Sequence, residues 1–167
     1  MYRFIHRKDI PYILITIIVG IFAHSMYEFS GNNPITGLIA PINESIWEHL
    51  KILFFPFLLA TLIEYYLQRP SPVSFFAAHF AGIWTGMLSI MFLFYGYSGI
   101  LGRNFVFIDI LLFFIGVIVA YYVSFKFAKK FHGQELLTVF LCWIFTILLF
   151  FILTCFPPEL PLFLPPV

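Results

Sequence analysis

Five stretches of this chain are each apolar for about as long as a helix needs to cross a bilayer, and that leaves room for few other folds. A span takes about 20 predominantly apolar residues, because hydrocarbon offers the backbone no partner and a helix satisfies its own N–H and C=O groups. The runs are about 10–29, 44–68, 73–95, 104–127 and 135–156, with a proline-rich tail at 157–167. The expected fold is all-α, a single transmembrane domain over 1–167 built as an integral membrane bundle of five helices. The chain is 62% apolar and 10% charged, against about 45–50% and about 25% in a soluble domain. So few charges cannot coat a water-facing surface. A net charge of +1 provides no basic surface for nucleic acid. The expected partner is the lipid bilayer, with a homo-oligomer or a partner membrane subunit left open.

Basic residues orient the bundle, because loops rich in Lys and Arg stay in the cytoplasm. Arg3, Arg7, Lys8, Arg69, Lys126, Lys129 and Lys130 fall on the side of the N-terminus, and Lys51 and Arg103 on the other. Seven against two puts the N-terminus in the cytoplasm and the C-terminus outside, in a multi-pass protein of the cell membrane. The basic start, apolar Ile10–Phe22 and Ala23-His24-Ser25 have the outline of a signal peptide. The segment is expected to be retained as the first span.

The connection from Ser30 to Asn43 opens as a turn cluster and continues as an apolar, glycine- and proline-broken stretch, Ile35 to Ile42. Two placements compete for it, re-entry into the bundle or rest on the headgroups. The tail holds five of the eleven prolines, Pro157, Pro158, Pro161, Pro165 and Pro166. It is expected to run extended with its leucines and phenylalanines on the membrane surface. Cys142 and Cys155 fall on one helix about 20 Å apart, too far to bridge, and read as packing residues.

Ionisable groups inside a membrane are costly, so each is a functional candidate. His24 and Glu28 share a face near the outer end of the first span. Glu44, Glu48 and His49 open the second, where Ser45 and Glu48 fit an S-x-x-E capping box. Asp109 lies at a similar depth on the fourth. Histidine and carboxylate groups at one depth suit a divalent metal, an ion pathway or acid–base chemistry. Each also has a purely structural role open to it. Glu48 can cap its helix, Lys51 can pair with Glu44 or Glu48 while its ammonium reaches the interface, and Asp109 can pair with Arg103 or Lys51. Deeper in, Ala78, Gly82 and Gly86 form a small-residue stripe that lets helices approach closely. His79 lies near that face, with Glu64 as a partner on the neighbouring span. Pro56 sits in mid-span and is expected to kink its helix.

The string Asn43-Glu44-Ser45-Ile46-Trp47-Glu48-His49-Leu50-Lys51, followed by an aromatic-rich span, resembles a family of small bacterial multi-pass membrane proteins of unknown function. The resemblance implies a layout of about five spans and no activity, substrate or cofactor. It groups Asn43, Glu44, Trp47, Glu48, His49 and Lys51 as a unit. The ceramidase- and receptor-like membrane hydrolases pair histidines on a late helix, and the last span here has none.

Three functions follow as expectations. The first is an outward-facing His/Glu site for a divalent metal or a polar headgroup, built from His24, Glu28, Asn43, Glu44, Glu48, His49 and Asp109. If that site were catalytic, metal-bound water would be the nucleophile and a carboxylate the base. The second is a small transporter or ion-coupled permease subunit that adds Glu64 and His79 as an inner relay. The third is a structural membrane subunit whose polar groups only lock the bundle.

Overall fold

The computed structural model describes residues 9–128 and 135–166. Arg3, Arg7, Lys8, Lys129 and Lys130, which carry much of the orientation argument, lie outside the described residues. Among the described residues there are six helices and no strand: α1 (Ile10–Phe29), α2 (Pro34–Ile39), α3 (Ile46–Gln68), α4 (Pro72–Leu101), α5 (Val106–Phe127) and α6 (Leu136–Cys155). Five of them are long and apolar enough to cross a membrane. Rows of large apolar side chains such as Ile18, Phe22, Leu88, Phe92, Ile118 and Phe145 face outward, which is stable only against hydrocarbon. The chain is a multi-pass membrane protein. The end of the bundle where α1 finishes and α3 begins is called distal below, and the opposite end proximal.

Local chemistry sets the helix limits. Ser45 is the N-cap of α3 and accepts a hydrogen bond from the Glu48 N–H at 3.3 Å. Only half of the capping box forms. The Ser45 N–H donates to Asn43 Oδ1 at 2.9 Å, so the Glu48 carboxylate is free to work elsewhere. Arg69, at φ 50°, ends α3, and Gly102, at φ 69°, ends α4 in the left-handed conformation that stops helices. α4 runs on past Tyr95 to Leu101. At 30 residues it is about 45 Å long, so its distal turns stand beyond the hydrocarbon or the helix tilts. Pro56 lies within a continuous α3.

Small residues set the closest approaches. A Cβ at Gly82 would strike Ser124 Oγ and the Ala120 carbonyl, and one at Gly86 would lie 2.7 Å from the Gly116 carbonyl. α4 and α5 therefore touch backbone to backbone along the stripe. Gly20 does the same for α1 on α3, where a Cβ would sit 2.7 Å from the Ile52 carbonyl. The indoles of Trp84 and Trp143 tie α4 to α6: the first donates to Thr146 Oγ1 at 3.3 Å, the second to the Phe76 carbonyl at 3.2 Å. Leu53, Phe54, Phe57, Ile83, Val117 and Tyr121 are fully enclosed at the centre.

Two distal segments pack back on the bundle, and the second of them departs from expectation. The connection 30–43 folds a short helix, α2, against the bundle. Asn33 caps it through Ile35 N–H at 2.9 Å, and Lys51 reaches up to its Gly37 carbonyl at 2.7 Å. The tail does not run extended. It turns twice, through Leu160 N–H to Pro158 O and Phe163 N–H to Leu160 O, and returns across the distal end. There Leu162 O accepts the Trp47 N–H at 3.0 Å, filling one of the orphan donors in the first turn of α3. Phe163 is buried against the Trp47 ring at 5.2 Å. Covering the Trp47 ring and capping a helix start outweigh the freedom of a chain already stiffened by proline. Cys155 is exposed and Cys142 half-buried, so Cys155 is not a packing residue.

Candidate metal centre

The connection before α3 determines the local chemistry of the distal end. Glu44 precedes the N-cap and stands in the open, 71% exposed, while His49 follows the cap by one turn. His49 Nδ1 lies 3.0 Å from the Ser45 carbonyl. A carbonyl can only accept, so Nδ1 carries a proton, and in the neutral ring Nε2 presents its lone pair. That lone pair faces His24 Nε2, 3.3 Å away on the penultimate turn of α1. It also faces Glu44 Oε2 at 3.4 Å. The ligand atoms of His24, Glu44 and His49 all lie within 4.8 Å of one another.

These spacings have a simple meaning. Two ligands of a tetrahedral zinc, each about 2.0–2.1 Å from the ion, lie about 3.4 Å apart. Both contacts of His49 have that length. Electron pairs converging from two imidazoles and a carboxylate repel unless a cation or a proton sits among them. A hydrogen bond to a backbone carbonyl on the remote ring nitrogen is also the usual way a ligand histidine is oriented. Three protein ligands leave one position of a tetrahedron for water or another oxygen donor.

The group stands at the mouth of a cavity of about 820 Å³. The rim is polar, with His24, Ser25, Glu44, His49, Asn104 and Asp109. Below it the wall is apolar, down to Gly20, Ile52, Ile90 and Phe113.

The other candidate residues lie elsewhere. Glu28 is exposed and outside the group. Asn43 is occupied with the Ser45 N–H. Glu48 points into the bundle, where it accepts Ile42 N–H (3.0 Å), Lys51 Nζ (2.7 Å) and Thr154 Oγ1 (3.0 Å). Lys51 does not reach the interface and is fully buried. It donates to Glu48, Gly37 O and, at 3.4 Å, Ala40 O. Asp109 pairs with neither Arg103 nor Lys51. It accepts the Tyr97 hydroxyl and, at 3.2 Å, Asn104 Nδ2. Glu64 and His79 face each other at 3.4 Å in the proximal half, both buried. His79 Nδ1 bonds the Phe75 carbonyl at 2.9 Å. Glu64 Oε2 and His79 Nε2 make no hydrogen bond. Sequence reasoning missed Thr154, Tyr97 and Asn104 as partners of these carboxylates. An isolated hydroxyl at the distal end of an apolar span, Thr154, was the one visible hint.

The family described as "Family of unknown function (DUF6512)" matches residues 3–167. The chain belongs to that family. The match covers the whole bundle, so the His24, Glu44 and His49 positions fall inside the part that defines the family. No curated protein and no solved structure matches the chain.

Proposed function

We propose that this protein is a single-domain, multi-pass protein of the cell membrane that binds a divalent metal of the zinc class at its outer end. His24, Glu44 and His49 would supply three ligands, and the fourth position would open onto the cavity. The supporting observation is the spacing of His49 Nε2, 3.3 Å from His24 Nε2 and 3.4 Å from Glu44 Oε2, with Nδ1 anchored on the Ser45 carbonyl. The ligand chemistry favours zinc over magnesium or calcium, which take oxygen donors. In this reading the N-terminus is cytoplasmic, which places the distal end outside.

Metal content of the purified protein, and zinc titration after chelation, test the proposal. About one zinc per chain is expected, with a large loss of affinity in His24→Ala and His49→Ala and little change in Glu28→Gln. Absence of zinc binding, or equal binding by His49→Ala, would remove the metal and leave a proton-shared polar cluster.

A second reading, a small ion-coupled permease, is favoured by one observation. Glu64 Oε2 and His79 Nε2 are buried without hydrogen bonds in the proximal half, and ionisable groups in that situation commonly mark ion routes. Zinc flux into proteoliposomes that is lost in Glu64→Gln would support transport over binding alone.

A further inference from the structure

The cavity beneath the metal ligands is open on two sides. From the proximal end upward, α1 and α5 are in contact: Thr16 Oγ1 lies 2.8 Å from the Tyr121 hydroxyl, which also donates to the Tyr12 carbonyl at 3.0 Å. A further close approach is at Gly20, where a Cβ would meet the Phe113 ring at 2.7 Å. Distal to that level the cavity lies between the two helices, with α3 and α4 also supplying lining residues. Its lining includes Ile21 of α1 and Val106 and Ile110 of α5, which are 57%, 72% and 52% exposed. Ile21 and Ile110 line the cavity and keep more than half of their surface accessible, so the cavity reaches the outer surface between α1 and α5 within the distal half of the spans. The polar rim lies within about two turns of the apolar floor.

The rim also has a distinctive charge. Its carboxylates are Glu44 and Asp109, and among the described residues no Lys or Arg lines the cavity. Beyond the donors of Ser25, Asn104 and the two imidazoles, a metal at the histidines is the cationic partner this rim would offer an anionic headgroup. Asp109 is held in place by Tyr97 and Asn104 and is suited to accept a proton-bearing oxygen. A phosphate monoester has both features, oxygens for a metal and, near neutral pH, a share of protonated oxygen, its second pKa being about 6. The volume of about 820 Å³ lies in the usual range for small-molecule sites, about 300–1,000 Å³.

We infer that the ligand of this site is a phosphate-monoester lipid of the distal leaflet: its phosphate binds the metal at His24, Glu44 and His49, one acyl chain occupies the cavity, and the second stays in the bilayer through the opening between Ile21 and Ile110. This assignment rests on the metal reading above.

The test is zinc affinity in nanodiscs, because a ligand that binds the metal must tighten the metal by the same factor. Discs of phosphatidylcholine are compared with discs containing about a tenth phosphatidate, and with plain discs plus inorganic phosphate. The wild type should bind zinc about tenfold more tightly with phosphatidate and show little effect of inorganic phosphate. Ile21→Trp and Ile110→Trp should keep the plain-disc affinity and lose the gain, because the indole fills the opening. Equal tightening in wild type and both variants would be surface charge alone. Equal tightening by inorganic phosphate would make the free anion the ligand. Either result, or no tightening while zinc still binds, overturns the lipid assignment and leaves the metal reading intact. No zinc binding in any disc overturns both.

Discussion

Lys51 Nζ lies 2.7 Å from Glu48 Oε2, and neither side chain meets solvent: Lys51 is 0% exposed and Glu48 3%. The pair joins three parts of the distal end. Lys51 holds α2 through Gly37 O and Ala40 O, and Glu48 holds the chain at Ile42 and α6 at Thr154. The connection that ends in Glu44 is thereby tied to the helix that carries His49.

Removing one member of this pair should be costly, because the other charge is left buried and uncompensated. Lys51→Met is expected to destabilise the protein by about 3–5 kcal/mol and the double variant Glu48→Leu/Lys51→Met by clearly less. Thermal unfolding in detergent reads both. If Lys51→Met melts with the wild type, the pair is not a structural lock.

The α4–α5 contact predicts a sharp contrast between glycines. A methyl at Gly82 meets Ser124 and Ala120, whereas nothing lies within 4 Å of one at Gly96. Gly82→Leu should disrupt the bundle, and Gly82→Ala should cost about 1–3 kcal/mol. Gly96→Ala should be neutral or slightly stabilising, because alanine favours helix. Unchanged melting of Gly82→Leu would show that the stripe tolerates separation.

The tail predicts an effect on a fluorophore. Phe163→Ala strips the cover from Trp47 and weakens the Leu162 carbonyl's hold on the start of α3. A loss of up to about 3 kcal/mol is expected. The red-shift of Trp47 emission should be visible once Trp84 and Trp143 are replaced by Phe. A spectrum identical to the parent would mean that the tail does not rest on Trp47 in the membrane.

The proposed orientation predicts labelling from opposite sides. With Cys142 and Cys155 replaced by Ser, an impermeant thiol reagent should reach Arg103→Cys and Glu159→Cys on intact cells, and Ser71→Cys only after permeabilisation. All three native residues are exposed. Reaction of Ser71→Cys on intact cells would invert the bundle and move the His24 end to the cytoplasm.

Much of the architecture was legible in the sequence because it depends on one-dimensional quantities. Length and apolarity of the runs gave five membrane-crossing helices. The spacing of Ala78, Gly82 and Gly86 marked a face of close approach, and Ser45 marked the start of α3. That His24 and His49 lie near one depth also follows from chain order, since a connection of fewer than twenty residues joins the end of one span to the start of the next. Which acid accompanies them was a different question. Glu48 and His49 are neighbours in sequence, but each residue of an α-helix turns about 100° from the last. The face carrying Glu48 therefore looks into the bundle at Lys51 and Thr154, while His49 looks toward α1. The rotation of α3 about its axis is set by packing of Phe54, Phe57 and Gly20 against other helices, and no local spacing records it. Glu44 joins the histidines because the turn before the N-cap carries it out of the helix altogether, whereas Glu28 lies exposed outside the group. Helix existence was a property of the segments; the phase of each helix, and with it the membership of the site, was decided only when the segments packed.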